Sequence, residues 1–152
     1  YWVLTINVIC MSRDMRLVIS GNDVKTYTFP KTVTGVGPCF YKIKVLKSVR
    51  PNDGLEVLGP YAFSSSGLRS FTAPASLKRI EGGVFAYCKN LRHADFGAST
   101  LQPEDGCNYF SPRVFVESGL ESIVLPSTLR VIEAGLFYGL ENLKSVELGE
   151  DS

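Results

Sequence analysis

The chain is poor in the residues that make chemistry: one histidine, one tryptophan, two methionines and four cysteines in 152 residues. A lone His93 cannot complete a paired-Cys, paired-His zinc site, and no two of Cys10, Cys39, Cys88 and Cys107 form a CxxC pair. Four scattered cysteines are too few for a disulfide scaffold. Their even count permits bridges without arguing for them, so thiol state and compartment stay open. Neither sign of charge is in excess, since sixteen Lys and Arg stand against fifteen Asp and Glu. The densest basic stretch, Lys42 to Arg50, alternates Lys with apolar residues. It is not the kind of patch that neutralises several phosphates, and nucleic acid is not an expected partner.

No apolar run reaches the roughly 20 residues of a membrane helix, so no membrane span is expected. Tyr1 to Cys10 is strongly apolar but only ten residues long, without a basic segment or a small-residue cleavage site. It reads as a terminal strand in preference to the remnant of a signal segment. The chain does not begin with Met and ends just after a repeat strand, so it reads as a piece of something longer. No GxGxxG or phosphate loop occurs, and no cofactor is expected. No N-x-S/T sequon occurs either, which neither requires nor excludes secretion.

Phenylalanine is what the chain has in periodic supply. Phe63 and Phe85 lie 22 residues apart, as do Phe115 and Phe137, and Phe40 lies 23 before Phe63. The neighbouring residues align on the same frame. The stretch from Leu68 (LRSFTAPASLKRIEGGVFAYCKN) places Leu68, Phe71, Ala73, Leu77, Ile80 and Phe85 at the offsets of Leu120, Ile123, Leu125, Leu129, Ile132 and Phe137. An earlier copy from Val24 has Tyr27, Phe29, Val33, Val36 and Phe40, and the copy from Leu46 keeps Val49, Leu55, Leu58 and Phe63 with Pro51 at an apolar position. With further starts at Leu91 and Leu143 this makes six units, separated by 22, 22, 23, 29 and 23 residues. Such a period is the mark of a solenoid.

The unit reads approximately L-x-x-[IVF]-x-[LAF], a short strand with one face turned to a core. Pro after the strand turns the chain, and a second apolar pair closes the opposite wall. A one-turn helical segment such as Gly82–Cys88 then drops its Phe into the middle. A strand this short needs a neighbour on each side, which the adjacent units supply. The expected fold is an α/β repeat, β-rich with one-turn helical segments, over residues 24–152. Residues 1–23 are expected to form a hairpin cap or a degenerate first repeat, since Leu4, Ile6 and Val8, then Met15, Leu17 and Ile19, alternate around Ser12–Asp14.

The repeat resembles the BspA-like leucine-rich-repeat family, whose units read approximately LxxIxIPxSLxxIxxxAFxxCxx. Leu120–Asn142 matches almost position for position, and Leu68–Asn90 matches with Cys88 in place. The resemblance covers about Val24 to Leu148. It implies a right-handed leucine-rich-repeat solenoid, and a family context of bacterial and protist surface or secreted proteins that adhere to host or extracellular components. An extracellular or cell-surface location is expected on that ground alone.

Side chains at the second, third and fifth strand positions should face solvent. They are Arg69, Ser70 and Thr72; Arg92, His93 and Asp95; Glu121, Ser122 and Val124; Lys144, Ser145 and Glu147. This polar, mixed-charge face suits a protein or an extended extracellular polymer, and it lacks the deep apolar pocket of a small-metabolite site. Ser70, His93, Asp95 and Ser122 share the face, but nothing marks an oxyanion hole or a nucleophile elbow, so no enzyme is expected. The long fourth unit carries a loop at 97–113, where Tyr109 and Phe110 are candidate anchors. Its Glu104, Asp105 and Asn108 lack the spacing of a calcium loop. Cys39 and Cys88 read as small buried hydrophobes. The expected role is a protein-interaction module for adhesion or recognition. The alternative is a structural scaffold within a larger assembly, joined through the open solenoid ends, because a last strand at Leu143–Leu148 would be left unpaired.

Overall fold

A unit of about 22 residues closes one coil of chain, and each wall of the coil has to pair its backbone groups with the coil before and after. The computed structural model describes residues 8–11, 16–19, 25–101, 113–129, 132 and 135–150. Among these residues there are eleven strands: β1 (Val8–Met11), β2 (Arg16–Ile19), β3 (Thr26–Thr28), β4 (Gly35–Val36), β5 (Ser48–Arg50), β6 (Val57–Leu58), β7 (Ser70–Thr72), β8 (Arg79–Ile80), β9 (His93–Asp95), β10 (Ser122–Leu125) and β11 (Ser145–Leu148). Three parallel sheets form two walls. The first holds β3–β5 and β7–β9–β10–β11, and the second holds β4–β6–β8. β1 and β2 pair antiparallel, and β2 lies beside β4. The loop at 102–112, with Cys107, Tyr109 and Phe110, lies outside the described residues.

The first wall is interrupted once, between β5 and β7, and the cause is Pro51. In other coils the residue at the sixth position donates its N–H to the next coil: Phe29 to the Arg50 carbonyl at 3.0 Å, Ala73 to Asp95 at 2.7 Å, Phe96 to Val124 at 2.8 Å. Pro51 stands at that position and has no N–H to give. The lower bond of the junction survives, Arg69 N–H to Lys47 O at 3.1 Å. Asn52 braces the same corner. Its Nδ2 donates to Pro30 O (2.5 Å) and Val33 O (2.9 Å), and its Oδ1 accepts from Gly54 N–H (2.7 Å).

The third wall is not helical, which corrects the expectation of one-turn helices. Among the described residues the only helical element is a 3-10 turn at Pro38–Phe40. Elsewhere alternate N–H groups point in different directions. Tyr61, Phe63 and Ser65 donate across to Gly82, Val84 and Ala86 of the next coil (2.8–3.0 Å). Ala62, Ser64 and Ser66 donate back three residues within their own coil (3.0–3.2 Å). A helix would consume every N–H internally and leave the neighbouring coil unbonded. The alternation requires left-handed backbone at recurrent positions: Lys42 (φ 60°), Tyr61 (59°), Ser65 (57°), Tyr87 (58°) and Glu117 (53°), with Gly83 (69°) and Gly139 (74°) at equivalent places. Each non-glycine there costs on the order of 1 kcal/mol, offset by the inter-coil bond it permits.

Between the walls runs a row of benzyl rings. Phe40 stacks on Phe63 (centroids 5.1 Å), Phe63 on Phe85 (5.6 Å) and Phe85 on Phe115 (5.6 Å), with the last two pairs within 9° of parallel. Phe71 and Phe96 flank the row from the sheet side. Leu46, Leu68, Leu91 and Leu120 are fully buried at the unit starts. The last coil is less covered than its sequence suggests. Phe137 and Leu129 are only partly buried, and Ile132, expected to close the second wall, is exposed, because no later coil lies over them among the described residues.

Cys88 belongs to this core. It is wholly buried, its thiol donates to Phe63 O at 3.0 Å, and burial pushes the thiol up to about 11 from an ordinary value of 9.0. Cys39 is buried likewise and donates to Gly37 O at 3.2 Å.

Three outcomes follow. Phe85→Ala, in mid-row, should lower unfolding free energy in urea by about 3–5 kcal/mol, and Phe137→Ala by roughly half that or less. Gly67→Ala should cost about 3 kcal/mol, because a Cβ there runs into the Lys44 carbonyl and lies 2.7 Å from Leu46 O. Cys88 should resist alkylation in the folded state, read by peptide mapping. Its unfolded form ionises first, so stability should fall between pH 9 and 11 by about 1.4 kcal/mol per unit relative to Cys88→Ala. Rapid labelling of Cys88 at neutral pH would contradict its burial.

Candidate functional site

The strands of the first wall alternate inward and outward, so their outward side chains align into rows that run across the coils. The register sets the rows. Thr26 opposes Ser48, and Ser70, His93, Ser122 and Ser145 follow one another as direct neighbours. Thr28 opposes Arg50, and Thr72, Asp95, Val124 and Glu147 align in the same way. A third row precedes the strands, where each residue's N–H donates to the carbonyl of its counterpart in the preceding coil: Lys47 to Lys25, Arg69 to Lys47, Arg92 to Arg69, Glu121 to Arg92 and Lys144 to Glu121. The structure therefore brings all twelve sequence-predicted residues into three adjacent rows on one wall. They are exposed or half-buried.

The rows also contain Lys25, Thr26, Thr28, Lys47, Ser48 and Arg50, which the sequence reading left out. The signal was present, since these residues occupy the same offsets in the copies from Val24 and Leu46. Chain distance hid their adjacency.

Within the face the polar groups are tied to one another. His93 Nδ1 lies 2.5 Å from Ser122 Oγ, and Thr26 Oγ1 lies 2.9 Å from Ser48 Oγ. Among the described residues Asp95 makes no hydrogen bond to the His93 ring. Its Oδ1 accepts the Gly97 N–H at 2.8 Å and holds the turn that leaves the strand. His93 and Asp95 are thus each bonded to a different group. Arg92 is engaged with the scaffold, its NH1 donating to Lys89 O (2.7 Å) and Gly119 O (3.2 Å) while Nε lies 3.6 Å from Glu121. Lys144 reaches Glu121 at 3.4 Å. These pairs are exposed and contribute little to stability, so the face is electrostatically patterned more than it is braced.

A second surface feature escaped the sequence reading. Tyr41, Tyr61 and Tyr87 stand exposed on the third wall and, with Pro38, Ser64 and Ser65, line a groove of about 420 Å³. The Tyr41 and Tyr61 rings meet edge to face at 6.4 Å. The three residues occupy different offsets within their units, so no periodicity announces them. Among the described residues no group of three or more His, Cys, Asp or Glu is placed to hold a metal, and no helix is long and apolar enough to cross a membrane.

Comparison with known proteins agrees with this architecture. The family model described as BspA type Leucine rich repeat region matches residues 19–111 and 108–152 in six copies. The comparison with curated proteins finds no match. Among solved structures, the chain is similar to the T. pallidum Leucine Rich Repeat protein, with 22% identity, a TM-score of 0.56, and coverage of 98% of this chain and 81% of that one. It is also similar to a leucine-rich repeat protein from Eubacterium ventriosum, with 17% identity, a TM-score of 0.52, and coverage of 94% of this chain and 43% of that one. Identities this low show the fold alone. The six-fold match along nearly the whole repeat, together with coils stacked on a row of phenyl rings, places the chain in the BspA-type leucine-rich-repeat family.

Proposed function

We propose that the chain is a recognition module that holds a protein partner against the first wall, as the adhesive or recognition part of a surface or secreted protein. Leucine-rich-repeat proteins are generally interaction modules, and the observation that carries the reading here is the register. Arg69, Ser70 and Thr72, then Arg92, His93 and Asp95, then Glu121, Ser122 and Val124, then Lys144, Ser145 and Glu147 form one uninterrupted ladder on rigid backbone. A pre-ordered face loses little entropy on binding. Val124 supplies a half-buried apolar centre, with mixed charge around it, which is the make-up of a protein interface. We take residues 1–23 as a hairpin cap or degenerate first repeat and Tyr109 and Phe110, which lie outside the described residues, as candidate further contacts. The cell-surface or extracellular setting rests on family context.

The test is capture of proteins from an extracellular or host-surface extract by the native chain and by Val124→Asp/Glu147→Lys. Proteins retained by the native chain should bind the variant about tenfold more weakly or worse, with the melting temperature unchanged. An identical captured set at identical affinity would remove the face from consideration.

One observation favours a second reading, that of a scaffold joined end to end. β11 pairs only with β10 among the described residues, and the last coil exposes Ile132 (49%), Val146 (44%) and Leu148 (67%). Such an edge is a ready template for another coil. Sedimentation velocity should then show association that rises with concentration and is abolished by Leu148→Asp. A strict monomer across the accessible range would dismiss the scaffold.

A further inference from the structure

The coils are divided in charge along the chain, and the first wall shares in the division. Residues 24–72 hold seven Lys and Arg against two Asp and Glu, whereas residues 114–152 hold two against seven. In the first three coils the row before the strands consists of Lys25, Lys47 and Arg69 alone. Their backbones are bonded in succession at those very residues, Lys47 N–H to Lys25 O at 2.7 Å and Arg69 N–H to Lys47 O at 3.1 Å. Neighbouring strands lie about 4.8 Å apart, so three cations occupy roughly 10 Å of the wall. Arg50 stands three residues beyond Lys47, roughly 10 Å across the same face. All four are exposed, and none lies within ion-pair distance of a carboxylate among the described residues. The later coils differ, since Arg92 and Lys144 both reach Glu121. Like charges stacked at this spacing repel one another, and an external anion relieves the repulsion.

The surroundings select the kind of anion. Between the cations lie the hydroxyl rows of Thr26, Ser48 and Ser70 and of Thr28 and Thr72, with no aromatic or large aliphatic side chain pointing outward. Protein interfaces draw their affinity from aromatic and apolar anchors, which this part of the wall lacks. Single-stranded nucleic acid is held by stacking aromatics, equally lacking here, and a duplex is read by elements that enter a groove, which a flat wall does not do. A chain of sugars bearing carboxylate or sulfate groups requires spaced cations and exchangeable hydroxyls, and these are what the wall offers.

We propose that Lys25, Lys47 and Arg69, flanked by Arg50, form a strip that binds an extended acidic polysaccharide along the solenoid axis. The proposal rests on the first wall being a binding face and assigns its basic half a partner class of its own. It was invisible in the linear sequence because the row residues are 22 positions apart.

The test uses the full chain with a sulfated polysaccharide, polygalacturonate, neutral dextran and an oligothymidylate as probes. The acidic polysaccharides should bind and dextran should not. The logarithm of affinity should fall with the logarithm of salt at a slope of roughly −2 to −3, the release expected for three or four cations. Lys25→Ser/Lys47→Ser/Arg69→Ser should weaken binding at least tenfold at an unchanged melting temperature. Lys47→Arg and Lys144→Ser should retain it. Undiminished binding by the triple variant, equal binding of dextran, or tighter binding of the oligothymidylate would overturn the proposal. So would a native chain that only self-associates at low salt, its basic half meeting the acidic coils of a second copy. Val124→Asp separates the two readings. It should lose the protein partner and keep the polysaccharide, so a failed strip leaves the protein-binding face standing, and the reverse.

Discussion

The constraint from which the rest follows is that no coil can satisfy its own backbone. On the two sheet walls the N–H and carbonyl groups point along the solenoid axis, and on the third wall every second N–H does so as well. A solitary coil would leave these groups to water and its Phe and Leu side chains uncovered, so the repeat is stable only as a stack. The row from Phe40 to Phe115 is the apolar counterpart of the same dependence. Phe63 and Phe85 are each covered by the rings above and below at 5.1–5.6 Å, and a fully buried ring contributes about 3 kcal/mol only while both neighbours are present.

This dependence fixes shape and frees surface. Inward positions are bound to a few residue types by the close packing of the stack, and the small residue at Gly67 is required because backbone carbonyls of the preceding turn crowd it. Apart from Asp95 and Arg92, whose side chains bond backbone groups, outward positions on the first wall carry little structural duty, since the ladder is made by backbone. They can therefore differ from coil to coil without disturbing the fold. The chain uses that freedom to place cations without a carboxylate partner among the described residues on its first coils and a mixed, partly paired set with Val124 on its later ones. A rigid ruler with variable marks suits recognition of extended or broad partners more than it suits catalysis, which needs groups converging on a water-excluded point.

The third wall shows how the stack overrides local preference. Tyr61, Ser65 and Tyr87 hold left-handed backbone that such residues seldom adopt, because only that conformation turns alternate N–H groups toward the next coil. Two of the three are tyrosines of the exposed groove, so the same conformation that closes the coil displays their rings. The groove is a by-product of inter-coil bonding that presents an aromatic surface.

Much of the fold was legible in the spacing of residues. Phe63, Phe85 and Phe115 at equal offsets, with Leu68 and Leu120 and the alternating strand positions, determine which side chains share a row and which face the core, because a stacked coil keeps its register. The twelve outward residues follow from the same count. What spacing does not carry is the direction of each hydrogen bond and the partner each side chain finds. The turn around Phe85 looks like a helical turn until the next coil claims its N–H groups. Asp95 looks like a partner for His93 until the Gly97 amide takes its carboxylate, and Pro51 looks like a blemish until the missing donor is seen to part β5 from β7. Lys25, Lys47 and Arg69 are scattered in the chain and consecutive on the wall. Periodicity is a property of the chain alone. Adjacency across coils, and the competition among neighbours for each donor and acceptor, exists only once the coils are stacked.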